Sequence, residues 1–187
     1  MKHIIEKSIN EICSILQEQR SEISQTCELL SEKIQSTLLN KKKVIICGNG
    51  GSLADADHFV TEFNVKFIKK NRAPLNAVSL SNSSIISAVA NDFSYENIFS
   101  RQIQAIGSAG DLLLVFSTSG NSKNINKAII TANKMKIFSF GFFGNKKNNL
   151  TKKCNMNFHV KSNTTARIQE VHKFIIHNVF TLLEKVY

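Results

Sequence analysis

A chain of 187 residues with 42% hydrophobic residues, a single Pro and no low-complexity tract or internal repeat can fill the core of one globular domain, residues 1–187. No apolar run approaches the ~20 residues that span a bilayer, charge interrupts the first residues too early for a secretory leader, and four scattered cysteines without a Cys-x-x-Cys pair argue against a disulfide framework or a cysteine-rich zinc site; a cytoplasmic protein is expected, without a membrane partner. The net charge of +10 raises nucleic acid as a partner, but Lys41-Lys42-Lys43, Lys69-Lys70-Asn71-Arg72 and Lys146-Lys147 sit in three separate loop-like places without aromatic interleaving, so they read as solvated surface that would also attract a sugar phosphate.

In chain order, apolar residues first recur every three or four positions at Ile5, Ile9, Ile12, Leu16, Ile23, Leu30, Ile34 and Leu38, which predicts amphipathic helix, as one segment or two in series. This stripe over residues 1–39 precedes any strand, so it must cover the later domain, pack on a partner subunit, or both. The pattern then alternates: strand near 43–47, helix 52–67, strand 76–80, helices over 83–90 and 95–106, strand 111–116, helix 122–134, strands 137–141 and 156–160, and helix 165–186. Five short strands separated by helices predict an α/β fold, a parallel sheet flanked by helices with an N-terminal helical extension. Ligands of such sheets bind beyond the carboxyl ends of the strands.

Two strand-to-helix turns fall at that edge. Val44-Ile45-Ile46-Cys47 runs into Gly48-Asn49-Gly50-Gly51-Ser52, where glycines let the backbone approach an anion and Ser52 stands where a helix presents free N–H groups. Leu112-Leu113-Leu114-Val115-Phe116 runs into Ser117-Thr118-Ser119-Gly120-Asn121-Ser122, whose short hydroxyls and N–H groups match phosphate oxygens, although one serine could simply cap the next helix. Asn91-Asp92 suits either sugar hydroxyls or a helix-ending turn. On the helix after the first turn, His58 and Glu62 lie one turn apart on one face, as a metal or proton-shuttle pair or as a surface contact. On the last helix Gln169, His172 and His177 interrupt an apolar pattern and need partners. Gln169 and His177 are eight residues apart, ~12 Å along the axis, so one ion would join them only between reaching side chains or across subunits.

Taken together, Cys47-Gly48-Asn49-Gly50-Gly51-Ser52, His58-x-x-x-Glu62, Asn91-Asp92-Phe93, Phe99-Ser100-Arg101-Gln102, Ser117-Thr118-Ser119-Gly120-Asn121-Ser122 and Ala166-Arg167-Ile168-Gln169-Glu170 resemble the phosphoheptose isomerase (sedoheptulose 7-phosphate isomerase) family over nearly the whole chain. The resemblance implies a sugar isomerase (SIS) fold, a three-layer sandwich on a five-stranded parallel sheet, a cytoplasmic homotetramer, and conversion of sedoheptulose 7-phosphate to D-glycero-D-manno-heptose 7-phosphate for bacterial heptose biosynthesis. It further implies one zinc per subunit held by His58, Glu62, Gln169 and His177, with Glu62 as base and His177 as acid. Substrate contacts would come from Asn49, Gly50, Gly51, Glu62, Asn91, Asp92 and Gln169, and phosphate contacts from Ser52, Ser117, Thr118, Ser119 and Ser122, in a pocket lined by several subunits. Within the same fold, the tetrameric scaffold DiaA, which binds the replication initiator DnaA, is the alternative; it lacks counterparts of Glu62 and His177, both present here. The chain departs from the family at Lys66 in place of Arg, at Ala166 in place of an Asp of some members, at Gly144–Asn149 in place of a glycine-rich loop, and at the bulky Phe142-Phe143.

Overall fold

The five apolar runs become β1 (Val44–Gly48), β2 (Ala77–Ser79), β3 (Leu112–Ser117), β4 (Phe138–Phe143) and β5 (Met156–His159) in a computed structural model that describes residues 2–145 and 151–187. They form one parallel sheet in the order β2-β1-β3-β4-β5. From β1 the chain steps to one side for β2 and then crosses to the other for β3, so winding reverses between β1 and β3, and a crevice opens at their carboxyl ends. Gly48 pairs with Phe116 across that boundary, which brings the glycine turn and the hydroxyl turn out of the sheet side by side.

Side chains alternate faces along a strand, and both faces of this sheet are covered. Val44, Ile46, Leu112, Leu114 and Phe116 face a core shared with α2 (Arg20–Leu39), α3 (Gly51–Asn64) and α7 (Thr165–Leu183). Ile45, Cys47, Leu113 and Val115 face a second core with α4 (Ser83–Asp92), α5 (Ile98–Ile106) and α6 (Lys123–Lys134). The result is the three-layer sandwich expected. Each fully buried large apolar side chain is worth roughly 1.5–3 kcal/mol, against about 1 kcal/mol net for a typical hydrogen bond, so these two apolar layers hold the sheet and the polar contacts choose its details. Asn82 starts α4 by accepting the Ile85 N–H at 3.0 Å.

The N-terminal stretch is two helices, α1 (Lys2–Glu18) and α2, broken at Gln19. The Gln19 side chain is fully buried: it donates to the His159 carbonyl at 2.8 Å and accepts the Lys161 N–H at 2.7 Å, closing backbone groups at the end of the edge strand β5. Ile23, Leu30 and Ile34 enter the core, whereas Ile4, Ile5 and Ile9 of α1 are 69%, 62% and 53% exposed, so the stripe covers the domain at one end and is bare at the other.

Three expectations shift. The helix predicted over 52–67 stops at Asn64, because the Arg72 guanidinium takes the Glu62 and Phe63 carbonyls and the Glu184 carboxylate takes the N–H groups of Phe67, Ile68 and Lys69. Long-range partners here outbid local helical pattern. Strand β4 runs to Phe143, two residues past its predicted end, and Phe142 and Phe143 are core residues; the Phe142 ring stacks on Phe116 with centroids 4.6 Å apart. The segment predicted as helix over 95–106 begins with a 3-10 turn at Tyr95–Asn97. Of the divergent Gly144–Asn149 loop and the Lys146-Lys147 pair, only Gly144 and Asn145 lie within the described residues.

Candidate active site

The glycine turn is built by close approach. A Cβ on Gly48 would come 2.7 Å from the Ser52 backbone, and Gly50 has φ +53°, so strand and helix can follow each other this tightly only without side chains there. Ser52 is buried in the first turn of α3. Gln169, from the start of α7, stands directly over the turn, its Nε2 2.6 Å from where a Gly51 Cβ would be. The Asn49 amide is held by a reciprocal pair with Asn124, donating at 3.0 Å and accepting at 2.8 Å, and it also accepts the Tyr95 hydroxyl at 3.2 Å. Asn124 is buried, begins the core-facing stripe of α6, and binds the Ile125 N–H as well. Thus an amide bridge clamps the two turns together across the β1–β3 boundary. Neither Asn124 nor Tyr95 was singled out in the sequence; a polar residue in register with Ala128 and Ile129 was the available signal for Asn124.

In the hydroxyl turn, Ser117 is buried and its Oγ lies 3.4 Å from Ser122 Oγ. Ser122 precedes α6 without using its side chain as a cap, so the capping alternative does not account for it. The Thr118 carbonyl accepts the Gly144 N–H, and Ser119 Oγ accepts the Asn121 N–H at 3.3 Å. Beside this turn lies a polar cavity of about 380 Å³, lined by Thr118, Ser119, Asn121, Asn145, Ser162, Asn163 and Thr165, with Ile168 as its apolar wall. Short hydroxyls, amides and backbone donors without a carboxylate suit an anionic, hydroxylated ligand.

The titratable cluster lies further along α3. His58 and Glu62 present one face to α7: His58 Nε2 is 3.2 Å from His177 Nε2 and 3.5 Å from Glu62 Oε1. A second tie, Lys173 Nζ to the buried Asp55 at 3.0 Å, fastens the same two helices. The His177 ring stacks on Phe67 with centroids 5.6 Å apart and meets Phe59 edge-on. Burial in this aromatic setting, and then the neighbouring His58, push the His177 pKa down, and Glu62 opposes them, so the imidazole is neutral near pH 7. The His58 side chain is 47% exposed, so the cluster opens at the surface of the chain. His172, by contrast, is a core histidine among Phe116 and Phe142, with only a 3.4 Å contact to the Phe143 carbonyl.

Among the described residues no group of three or more His, Cys, Asp or Glu side chains is arranged to hold a metal ion, the trio of His58, Glu62 and His177 included. The His58–His177 pair nevertheless fits a metal: 3.2 Å between its nitrogens matches the edge of about 3.3 Å for two nitrogens bound tetrahedrally at ~2.0–2.1 Å from zinc. Gln169 is placed at the glycine turn, over Gly51, two helical turns from His177. The residues that line the polar cavity do not include His58, Glu62 or His177, and Ser52 and Glu62 are ten residues apart on α3, ~15 Å at 1.5 Å per residue. Asn91 and Asp92 end α4, hydrogen-bonded to each other at 2.8 Å, and line an open groove with Ser83, Ser84 and Ser87. Lys66 and Ala166 are exposed.

Comparison with known proteins matches residues 7–139 to the SIS domain. The chain is 42% identical over 161 residues to the phosphoheptose isomerase of Campylobacter concisus, covering 86% of this chain and 85% of that protein. It is 36% identical to that of Campylobacter jejuni serotype O:6, with 99% of each covered. The solved structure of phosphoheptose isomerase GmhA from Neisseria gonorrhoeae superposes with a TM-score of 0.91 at 30% identity over 98% of both chains.

Proposed function

The chain belongs to the phosphoheptose isomerase family, and from that premise we propose that it interconverts sedoheptulose 7-phosphate and D-glycero-D-manno-heptose 7-phosphate by moving a proton between C1 and C2. One observation carries the assignment of roles: Glu62 and His177, 115 positions apart, both meet His58 Nε2 within one subunit. The DiaA-type scaffold alternative is distinguished by lacking that carboxylate and imidazole, and the relatives above are isomerases by name.

In the ketose-to-aldose direction Glu62 takes the proton from C1 while His177 gives one to the C2 oxygen, producing the enediol. The same two groups then act in reverse: Glu62 returns its proton to C2 and His177 takes the one on the C1 oxygen, leaving the aldehyde at C1. A neutral imidazole suits this because it can both donate and accept. The phosphate is bound by Ser52, Ser117, Thr118, Ser119 and Ser122 and the adjoining N–H groups, and Asn49, Gly50, Gly51 and Gln169 meet the sugar.

His58, His177 and Glu62 are the residues that would hold zinc, with Gln169 as the further ligand named by the family pattern; bound there, zinc would polarise the sugar carbonyl. One Nε2 cannot hold a cation and a transferable proton together, so through that atom His177 would serve as a zinc ligand or as a proton donor, not as both at once. The ~15 Å between Ser52 and Glu62 along α3 supports a pocket assembled from several subunits of a homotetramer, with Asn91 and Asp92 reaching the sugar of a neighbouring copy. The bare Ile4, Ile5 and Ile9 supply a surface for such assembly. Among the described residues no helix is long and apolar enough to cross a membrane, and all four cysteines are free thiols, which supports a cytoplasmic setting.

The test is turnover of sedoheptulose 7-phosphate by purified protein with and without added zinc, beside Glu62→Gln. Wild type should turn over, and Glu62→Gln should lose on the order of 10²–10⁴-fold in kcat while keeping its oligomeric size. An inactive wild type would remove the function, and an active Glu62→Gln would remove the role of Glu62.

A further inference from the structure

The segment 65–72 leaves helical conformation to wrap one carboxylate. Glu184, just past α7 and buried, accepts the N–H of Phe67 at 3.1 Å, of Ile68 at 2.9 Å and of Lys69 at 3.0 Å, and its fourth donor is Arg72 Nε at 3.2 Å. The rest of the Arg72 guanidinium is spent on main-chain carbonyls: Glu62, Phe63 at 3.1 Å and Ala73 at 2.7 Å. A buried ion pair survives only when its remaining donors and acceptors are satisfied, and this one meets that condition by ordering eight residues of chain. The pair therefore joins the end of α3, at the residue that carries the Glu62 carboxylate, to the end of α7, beyond the residue that carries the His177 imidazole.

What that wrapping delivers is Phe67. Its ring lies nearly parallel to the His177 ring, at 21° and 5.6 Å, with Phe180 behind it at 5.8 Å. An imidazole has a broad preference about its ring torsion, so a flat neighbour on one face, with the Phe59 edge at 87°, is what selects the plane in which Nε2 points at His58. Val65 and Ile68 on either side are 63% and 67% exposed, so the apolar content of the segment is not generally buried; Phe67 is the one turned inward.

We propose that Phe67 is a positioning residue for the isomerisation: seated by the Glu184–Arg72 pair, its ring holds the His177 imidazole in the plane from which Nε2 serves the reaction. This rests on the role of His177 given above, and two independent readouts separate the failure of one from the failure of the other. The first is NMR of full-length protein, following the His177 ring protons, which needs no turnover. In Phe67→Leu, similar in apolar character but without a flat face, the imidazole should reorient, so that these resonances broaden and lose their cross-relaxation to the His58 ring; Phe67→Tyr should keep both. The second is steady-state kinetics. Phe67→Leu should lower kcat on the order of tenfold with KM changed less than about threefold, since displacement of a reacting group acts on the chemical step, and Phe67→Tyr should restore kcat. Glu184→Gln, which keeps an oxygen acceptor but drops the charge, should follow Phe67→Leu. Ile129→Ala, a core truncation on the opposite face of the sheet, controls for simple loss of stability and should leave kcat in place. Sharp His177 resonances that keep their cross-relaxation to His58 in folded Phe67→Leu would overturn the proposal. So would a kcat for Phe67→Leu that falls no further than that for Ile129→Ala. A reoriented ring with undiminished kcat would likewise overturn it, by removing the role of His177 in the reaction while leaving Phe67 orienting the imidazole.

Discussion

His172 shows how far one residue's environment can depart from its chemistry. Its imidazole is fully buried between phenylalanine rings, its Nδ1 has no partner, and burial pushes its pKa down to about 4. In the unfolded chain the group titrates near ~6.5, so between the two values the unfolded state binds the extra proton. Stability from this site is therefore complete above ~6.5 and is lost as pH falls toward 4, about 2 kcal/mol of it by pH 5. His172→Phe should keep the packing and remove that slope: urea midpoints at fixed protein concentration should fall less between pH 7.5 and 5 than in the parent, and equal falls would refute the account. The sequence had marked Gln169, His172 and His177 alike as polar residues on an apolar helix. Only the fold separates them, because α7 turns His172 into the sheet and His177 toward α3.

At the scale of elements, the decisive feature is the tight passage from β1 to α3. The sequence showed it as glycines between an apolar run and a serine, and the structure gives the reason for Gly48, whose α-hydrogen faces the Ser52 backbone. Gly48→Ala puts a methyl group 2.7 Å from backbone atoms that have no rotamer to change, so strand or helix must move. Thermal or urea denaturation should show a loss of about 1–3 kcal/mol, and an unchanged midpoint would mean the turn is looser than described. The end of the same helix was misread. Nothing in Phe63-Asn64-Val65-Lys66-Phe67 announces a stop, since its causes lie outside the segment, in Arg72 and in Glu184 more than a hundred residues away. The partners of Asn49 were unreadable for the same reason: an amide pair between residues 49 and 124 exists only once β1 and β3 are neighbours.

For the whole molecule, charge and the N-terminal helices matter most. Not all of the basic clusters are solvated surface: Lys43 of Lys41-Lys42-Lys43 is paired at 2.7 Å with the buried Asp111. The α1–α2 segment is both core and free surface. Removing residues 1–38 would take Ile23, Leu30 and Ile34 from the core and test folding rather than assembly. The cleaner test is Ile5→Glu with Ile9→Glu, both on the bare part of α1. If that face joins subunits, light scattering should report a smaller species while each subunit keeps its helical signal; an unchanged mass would place the interface elsewhere. A groove of about 360 Å³ runs between α2 and α7, walled by Leu16 from the end of α1 and by Ile23, Phe174 and Leu182.

From the amino-acid order alone came the alternation of strands and helices, the parallel sheet, the glycine and hydroxyl turns at its carboxyl edge and the family, because apolar periodicity, glycine placement and motif spacing are local properties that a chain carries before it folds. The tertiary structure alone decided that Glu62 and His177 meet on His58, that Asn124 and Tyr95 hold Asn49, and that Glu184 ends α3 and seats Phe67. Those are contacts that exist only once folding has brought residues distant in the chain within hydrogen-bonding or packing reach of each other.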